Sequence, residues 1–485
     1  MADSANRPAV HLHIAGERFD KGSGGVHEHI DPSTGKIDAR VPLAGPGEVD
    51  RAVNAADAAF ATWKRTPPEE RRRLLLRLAD LIEANGEEFG RRGTMDNGTP
   101  AAVVAQMAAP AVEWTRYYAG WADKISGELS SGLTSGIGEL NYTLLEPYGV
   151  VGIIITWNGP LISLTMKIPA ALAAGCTVVC KPSELTPFSG ELFMELVEEA
   201  GFPAGVCSIL PGDPAAGEAL VAHPKVRKVS FTGGPATASK ILHTCADSMK
   251  PATLELGGKS AHIIFEDADL DIACAFGTMM SVGVLSGQGC AFPTRMLVQL
   301  SIYDDVIDRV ATMAKGITVG DPWDPAVMAG PVVNEAALER ILGMIERAQN
   351  DGARLVTGGN RIGGDLARGY FLEPTIFADV DPDSELAQNE VFGPVLTMIP
   401  FDSDDDAVRI ANNTRYGLSG YIRTANLSRG LRVAEELATG EVLVNNAANL
   451  RVQRPFGGIG ISGMGKEGGR LGLEEFLRVK SVGIA

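Results

Sequence analysis

Three things are scarce in this 485-residue chain, and each scarcity removes a class of function. Positive charge is the first: 43 basic residues stand against 60 acidic ones, a net of −17. A surface that acidic repels a phosphate backbone, so nucleic acid is not an expected partner. Cysteine is the second. The six present (Cys176, Cys180, Cys207, Cys245, Cys274 and Cys290) show no CxxC spacing and no paired clusters. That excludes a cysteine-built zinc site and a disulfide framework, so no metal is expected and a reducing, cytoplasmic setting fits. Long apolar runs are the third. No stretch reaches the roughly 18 uninterrupted apolar residues of a membrane span, and the opening MADSANRPAV lacks the charged start and apolar core of a secretory signal.

What is present is ordinary globular material in quantity. The length exceeds one compact core, so two or three domains are expected. With 45% hydrophobic residues and 57 glycines, the composition suits an α/β protein rich in turns. After a short β-like section, residues 67–86 predict an amphipathic helix: Leu74, Leu75, Leu78, Leu81 and Ile82 recur at helical spacing, and Gly86 sits where a C-cap would. A second helix is expected over 111–125 and a hairpin, standing off the main body, over 126–149. From residue 149 strand, loop and helix alternate: GVVGIII, a helix through MKIPAALAAG, TVVCKPS, a helix through ELFMELVEEAG, then VCSILPG and VRKVSFTGG. Such runs predict a parallel sheet with helices on both faces and ligands at the carboxyl ends of its strands. The stretches IIFEDADLD, MLVQL, YFLEPTIF, VLTMIPF and EVLVNN predict a second α/β domain over about 258–455.

The chemistry centres on SGQGCAFPTR, where Cys290 sits on Gly287, Gly289 and Ala291. Most free cysteines are small buried hydrophobes, but small neighbours give a reactive thiol access. A thiol nucleophile also needs an oxyanion stabiliser and a base. Asn158, just past the GVVGIII strand, is either a turn former before Gly-Pro or an amide aimed into a cleft. Glu255, between two leucines, is either a buried salt-bridge partner or a base with a tuned pKa. In CKPSE, Lys181 can donate to ribose hydroxyls, while Glu184 can accept from a 2′-hydroxyl and repel a 2′-phosphate; exposed surface charges explain both equally well. Gly233 and Gly234 stand between strand and helix, where backbone N–H groups can face a pyrophosphate, although the GxGxxG pattern is missing.

Together ITWNGPL, KPSELTP, FTGG, LELGGKS, GQGC, NEVFGPV, NNTRYGLSG and PFGGIGISGMGKEGG resemble the aldehyde dehydrogenase superfamily, in the order that family keeps. The resemblance implies an α/β subunit of two doubly wound domains plus a small β-hairpin oligomerisation domain. The NAD-binding domain would take 1–124 and 148–257, the catalytic domain 258–455, and the oligomerisation domain 125–147 and 470–485; relatives are dimers or tetramers. It further implies Cys290 as nucleophile, Glu255 as general base, and Asn158 with the Cys290 N–H as oxyanion hole. Lys181 and Glu184 match contacts to the adenosine ribose, and Glu390 and Phe392 match contacts to the nicotinamide ribose. Thr156, Trp157, Gly233 and Gly234 match the cofactor cleft, and Glu467 a proton relay. Thr156 stands at a usual proline, Gly234 at a common serine, Ala238 at a usual glycine and Gly460 at a frequent lysine. Glu255 and Cys290 lie 35 positions apart, about one more than usual, which reads as a small loop insertion.

The implied reaction is oxidation of an aldehyde to the acid through a thiohemiacetal and a thioester, with NAD favoured over NADP because of Glu184. Glu255 favours hydrolysis over acyl transfer to coenzyme A. Positions that line the substrate tunnel in relatives correspond to Gly159, Ile162, Met166, Gly289, Ala291, Leu450 and Phe456, among which only Phe456 is aromatic. A roomy apolar tunnel for medium-chain or ring-bearing aldehydes follows. Arg451 and Arg454 offer an alternative, a semialdehyde carboxylate, and a non-catalytic dinucleotide-binding or structural protein on the same fold is a further one.

Overall fold

The strand Val150–Ile154 is apolar on every residue because it is covered on both faces. Ile153 faces one hydrophobic core, with Leu78, Trp114 and Phe193, while Ile154 faces another, with Val53, Leu220 and Ile241. The same alternation places Val178 in the first core and Val179 in the second. A strand that must satisfy two helical layers has no polar face, which is why periodicity in this region reads as continuous. The computed structural model describes residues 7–131, 140–446 and 450–484.

Two large sheets result. The first has eight strands, with Ala252–Leu256, Val226–Gly233, Val150–Ile154, Thr177–Lys181 and Cys207–Ile209 side by side and parallel. Antiparallel strands cover its edges: Leu12–Ile14 and Glu17–Phe19 at one end, and the short Gly463–Met464 at the other. Strand order reverses at Val150–Ile154, which lies between Thr177–Lys181 and Val226–Gly233. Such a switch point opens a crevice beyond the carboxyl ends of the strands. The second sheet has seven strands from Ala261 to Val444, parallel except for the edge strand Arg354–Thr357. It too lies between two cores: Ile263 and Leu297 face one, Ile264, Met296 and Val298 the other. The fold is thus α/β with two doubly wound sheets.

Several element limits depart from the expectations, each for a local reason. The helix Pro68–Ala84 ends at Asn85, and Gly86 opens the next helix, Gly86–Asn97, instead of capping the first. The second predicted helix spans Ala108–Ala119. The helix expected from Met166 begins at Pro160, whose fixed φ suits a first helical position, and it carries Pro169 inside. IIFEDADLD is strand only to Ile264; Asp269 then accepts from the N–H of Ile272 and starts the helix Leu270–Thr278. YFLEPTIF is strand only over Thr375–Ala378, after Pro374, and EVLVNN only over Glu441–Val444. In the hairpin region, Leu140–Pro147 pairs antiparallel with Leu129–Ser131 and with the tail strand Leu477–Ile484. Of the expected hairpin, residues 132–139 lie outside the described residues.

Candidate active site

The loop at the switch point carries Thr156, Trp157 and Asn158, and it is tied from two sides. The Asn97 amide donates to the carbonyl of Trp157 at 3.0 Å, and the Asn158 amide donates to the carbonyl of Gln288 at 2.8 Å. An amide nitrogen has two N–H groups, so Asn158 keeps one for a ligand oxygen. Its bond to Gln288 fixes it beside Cys290, two residues further along.

Cys290 follows an apolar stretch, Leu270–Gly287, that an α-helix begins and irregular turns end: Met279–Gly283 is a π-turn, and Leu285 and Ser286 both have φ of 50°. That backbone is held by side chains. Ser286 donates to Gly330 O at 2.7 Å, and Gln288 accepts from the N–H of Val333 at 2.9 Å. Gly287 has φ of 71° and sits against the carbonyls of Gly393 and Ser281, so it serves a tight turn and not clearance for a substrate. Gly289 and Ala291 do border open space. Of the six cysteines, all free, five are buried and Cys290 alone is partly exposed. Burial pushes its thiol up to about 12, and the charges of Glu390 and Glu255 add to the shift.

Glu255 lies in Ala252–Leu256, between Thr232 on one neighbouring strand and Gly463 on the other. It is 3% exposed, and neither carboxylate oxygen has a hydrogen-bond partner among the described residues. Burial, followed by the negative charge of Glu467, pushes its pKa well above the carboxylate range. Glu467 is held by a two-way backbone bridge to Phe456, and its carboxylate pairs with the ammonium of Lys167, which also donates to Ser230 Oγ at 3.0 Å. Sequence reading missed Lys167; its one signal is a cation inside an otherwise apolar helix.

Two cavities meet at these groups. A cleft of about 340 Å³ is lined by Thr156, Trp157, Lys181, Glu184, Gly233, Gly234, Glu390 and Phe392. Past Lys181 and Glu184 it runs into a groove of about 570 Å³ between Pro214, Val221 and Ile241. On the other side, a cavity of about 200 Å³ is bounded by Gly159, Ile162, Met166, Gly289, Ala291, Leu450, Phe456 and Glu467. Thr156, Asn158, Glu255 and Cys290 belong to both. Met107, Met280, Val284, Leu285 and Phe292, with the polar Ser163, Lys167 and Thr232, also line the second cavity and were not read from the sequence. Phe292 makes Phe456 one of two aromatic walls there.

The cleft suits a dinucleotide. Its helix Pro235–Ala246 has Gly234 as N-cap with no side chain to satisfy the first N–H groups, and a Cβ at Gly234 would meet nothing. Free N–H groups and the helix dipole favour an anion there. Ala238, one turn on, is 2% exposed and packs into the core behind this helix. Gly460 has φ of 60°, a conformation that favours glycine over the lysine common in relatives. Lys181 is buried, with its ammonium on the carbonyls of Pro182, at 3.1 Å, and of Gly212, and 3.5 Å from Glu184. Glu390 accepts from the N–H of Gly258 at 2.8 Å, and burial pushes its carboxyl up to about 7. The rings of Trp157 and Phe392 meet edge-to-face with centroids 5.3 Å apart.

The family model for the aldehyde dehydrogenase family matches residues 19–482. An aldehyde dehydrogenase of Enchytraeus buchholzi is 42% identical over 477 residues, covering 97% of this chain and 95% of its own. The NAD+ complex of an aldehyde dehydrogenase from Bacillus cereus superimposes with a TM-score of 0.94 at 40% identity, covering 98% of this chain and 96% of that one. Betaine aldehyde dehydrogenase from Staphylococcus aureus, in complex with NAD+, gives 0.94 at 33% identity, over 98% of this chain and 94% of its own. The chain belongs to the aldehyde dehydrogenase family.

Proposed function

We propose that this enzyme oxidises a medium-chain or ring-bearing aldehyde to its carboxylic acid, with NAD as hydride acceptor and Cys290 as nucleophile. The observation that carries the proposal is the meeting of Cys290, Asn158 and Glu255 on the wall between the two cavities. Trp157, Gly233, Gly234, Glu184, Glu390 and Phe392 would hold the dinucleotide, and Lys181 would turn a donor to its ribose. Bound there, a dinucleotide would supply an acceptor for the aldehyde hydrogen as hydride. Glu184 disfavours a 2′-phosphate, and NAD complexes of similar enzymes support the same choice.

The aldehyde enters from the apolar cavity and places its carbonyl carbon at Cys290 Sγ. The Cys290 thiol gives its proton to the Glu255 carboxylate, which passes it out by way of Glu467 and Lys167. As the C–S bond forms, negative charge gathers on the carbonyl oxygen, where the free N–H of Asn158 and the Cys290 backbone N–H stabilise it. Loss of hydride leaves a thioester on Cys290. Glu255, the carboxylate common to both cavities, takes a proton from water, which attacks the thioester and frees the acid. Glu467 and Lys167 form the exit for that proton.

The apolar cavity supports an uncharged substrate. Arg454 is paired with Glu441 at 3.1 Å and Arg451 is exposed; neither lines the described cavity, so the semialdehyde reading gains nothing. The domain division given above and a homo-oligomer belong to the same proposal, supported by the three-stranded sheet with Leu129, Leu144 and Val479 exposed. Six free thiols support a cytoplasmic setting.

The test is NADH formation from an aldehyde panel. Hexanal and benzaldehyde should give higher kcat/KM than acetaldehyde, and NAD a lower KM than NADP. Cys290→Ser should cut kcat by at least about 10⁴-fold. Turnover only with added coenzyme A would sink the hydrolytic mechanism, and no turnover with any aldehyde would sink the enzymatic reading.

A further inference from the structure

Next to the edge of the eight-stranded sheet, away from both cavities, His11-Leu12-His13 leads into the strand Leu12–Ile14 with its two imidazoles on the same side, because side chains two apart in extended chain point the same way. The helix Phe188–Ala200 packs beneath them. Its Glu191 and Glu198 are two turns apart and so share a face. The nearer nitrogens of both imidazoles converge on Glu191: His11 Nδ1 lies 2.6 Å from Oε1 and His13 Nε2 lies 3.0 Å from Oε2. These ligand atoms all fall within 4.8 Å of one another.

The farther nitrogens are occupied as well. His13 Nδ1 lies 3.1 Å from Glu198 Oε1, and His11 Nε2 lies 3.4 Å from Asp20 Oδ1. At His13 a proton on Nδ1, bonded to Glu198, leaves Nε2 as a lone pair toward Glu191, whereas His11 Nδ1 shares a proton with Glu191 Oε1, and a bound cation would take that proton's place. An imidazole backed by a carboxylate and facing a shared centre is the arrangement that orients histidine toward a metal. His13 supplies an independent sign. It is 1% exposed, and its Nε2, though close to Glu191, makes no hydrogen bond of acceptable geometry.

We propose that His11, His13 and Glu191 form a binding site for a divalent transition cation of the zinc class. Two imidazoles and one carboxylate are ligands that such ions take, with water in the fourth position. Charge supports the same occupant. Asp20, Glu191 and Glu198 surround the two rings, and Arg18, 2.7 Å from Glu198, is the one fixed cation among the described residues in contact with them. His11, 22% exposed, leaves a route from solvent. The ion would fasten the strand next to the sheet edge to the helix beneath it, so it acts on stability and not on the chemistry at Cys290. The expectation of no metal rested on cysteine spacing, which is blind to a His-x-His strand meeting a carboxylate 180 residues away.

Equilibrium dialysis of the full-length Cys290→Ser protein against Zn2+ tests this without the partly exposed thiol as a competing ligand. One zinc per chain is expected, with a rise in Tm. His11→Asn and Glu191→Gln should each abolish the binding, and Glu198→Gln, outside the ligand set, should weaken it by about 10–100-fold. With Co2+ the visible spectrum should report a nitrogen and oxygen site without a thiolate band. Since His11 is partly exposed, its variant should fold, and its metal-free circular dichroism and Tm will show that it has. Undiminished binding by a folded His11→Asn protein, or no zinc retained by the parent, would overturn the site and leave a hydrogen-bonded histidine–carboxylate cluster.

Discussion

Lys167 and Glu467 form an ion pair inside the molecule, with side chains 1% and 7% exposed, although 300 residues separate them in sequence. Removing one partner strands a buried charge. Lys167→Met should therefore cost about 3–5 kcal/mol in urea unfolding, and the double variant Lys167→Met/Glu467→Met should recover much of it. Glu467→Gln should also shift the alkaline-rising limb of the kcat profile to lower pH, because the Glu467 charge helps to hold the proton on Glu255. An unmoved limb would separate the pair from the base.

Glu255 is a liability to the fold. Burial makes it keep a proton that the unfolded chain releases near 4.5. The stability it contributes is thus fully present below that pH and is lost as pH rises through the higher folded value. Glu255→Gln should abolish turnover, let the thioester accumulate, and yet raise Tm at about pH 8, with the gain shrinking toward about pH 5. Equal Tm values for parent and variant at both pH values would refute the burial account.

Glu390 can accept a ribose hydroxyl as a carboxylate only above its pKa of about 7. The KM for NAD should accordingly rise as pH falls through that value, with kcat for saturated enzyme less affected. In Glu390→Gln the KM should be raised throughout and its pH dependence flat; a dependence that persists there belongs to another group.

A Cβ at Gly289 would run into the ring of Phe292, on the wall of the apolar cavity. Gly289→Ala should push that ring inward and penalise bulky aldehydes first. The ratio of kcat/KM for benzaldehyde over acetaldehyde should drop about 10–100-fold. A uniform loss for both aldehydes would instead implicate the positioning of Cys290.

Part of the candidate site was readable because Asn158 and Glu255 lie just past or at the end of a strand, and Cys290 in a glycine-rich turn. Cys290 stands out among small residues, and Asn158 and Glu255 each break the apolar pattern around them. Lys167 also breaks it, but a single lysine in a helix ordinarily reaches solvent, and nothing local reveals that its partner arrives 300 residues later. Met280, Val284 and Leu285 belong to a stretch whose helical geometry fails in stages, through a π-turn and two residues, Leu285 and Ser286, at φ near 50° although neither is glycine. The π-turn Met279–Gly283 also offers a helical place for the extra residue between Glu255 and Cys290 that reads from sequence as a loop. Sheet order was out of reach for the same reason as the ion pair: pairing of Gly463–Met464 with Ala252–Leu256 is a long-range event with no local signature.

That last pairing bears on how the enzyme comes into being on the ribosome. The strand holding Glu255 lacks its outer neighbour until Gly463 and Met464 emerge, and the wall beside the base lacks Glu467 until three residues later. The closing strand Leu477–Ile484 then reaches back to Leu140–Pro147. A nascent chain can therefore gather the lining of the cofactor cleft, out to Glu390 and Phe392, before the strand of Glu255 gains its outer neighbour and Glu255 gains Glu467 beside it.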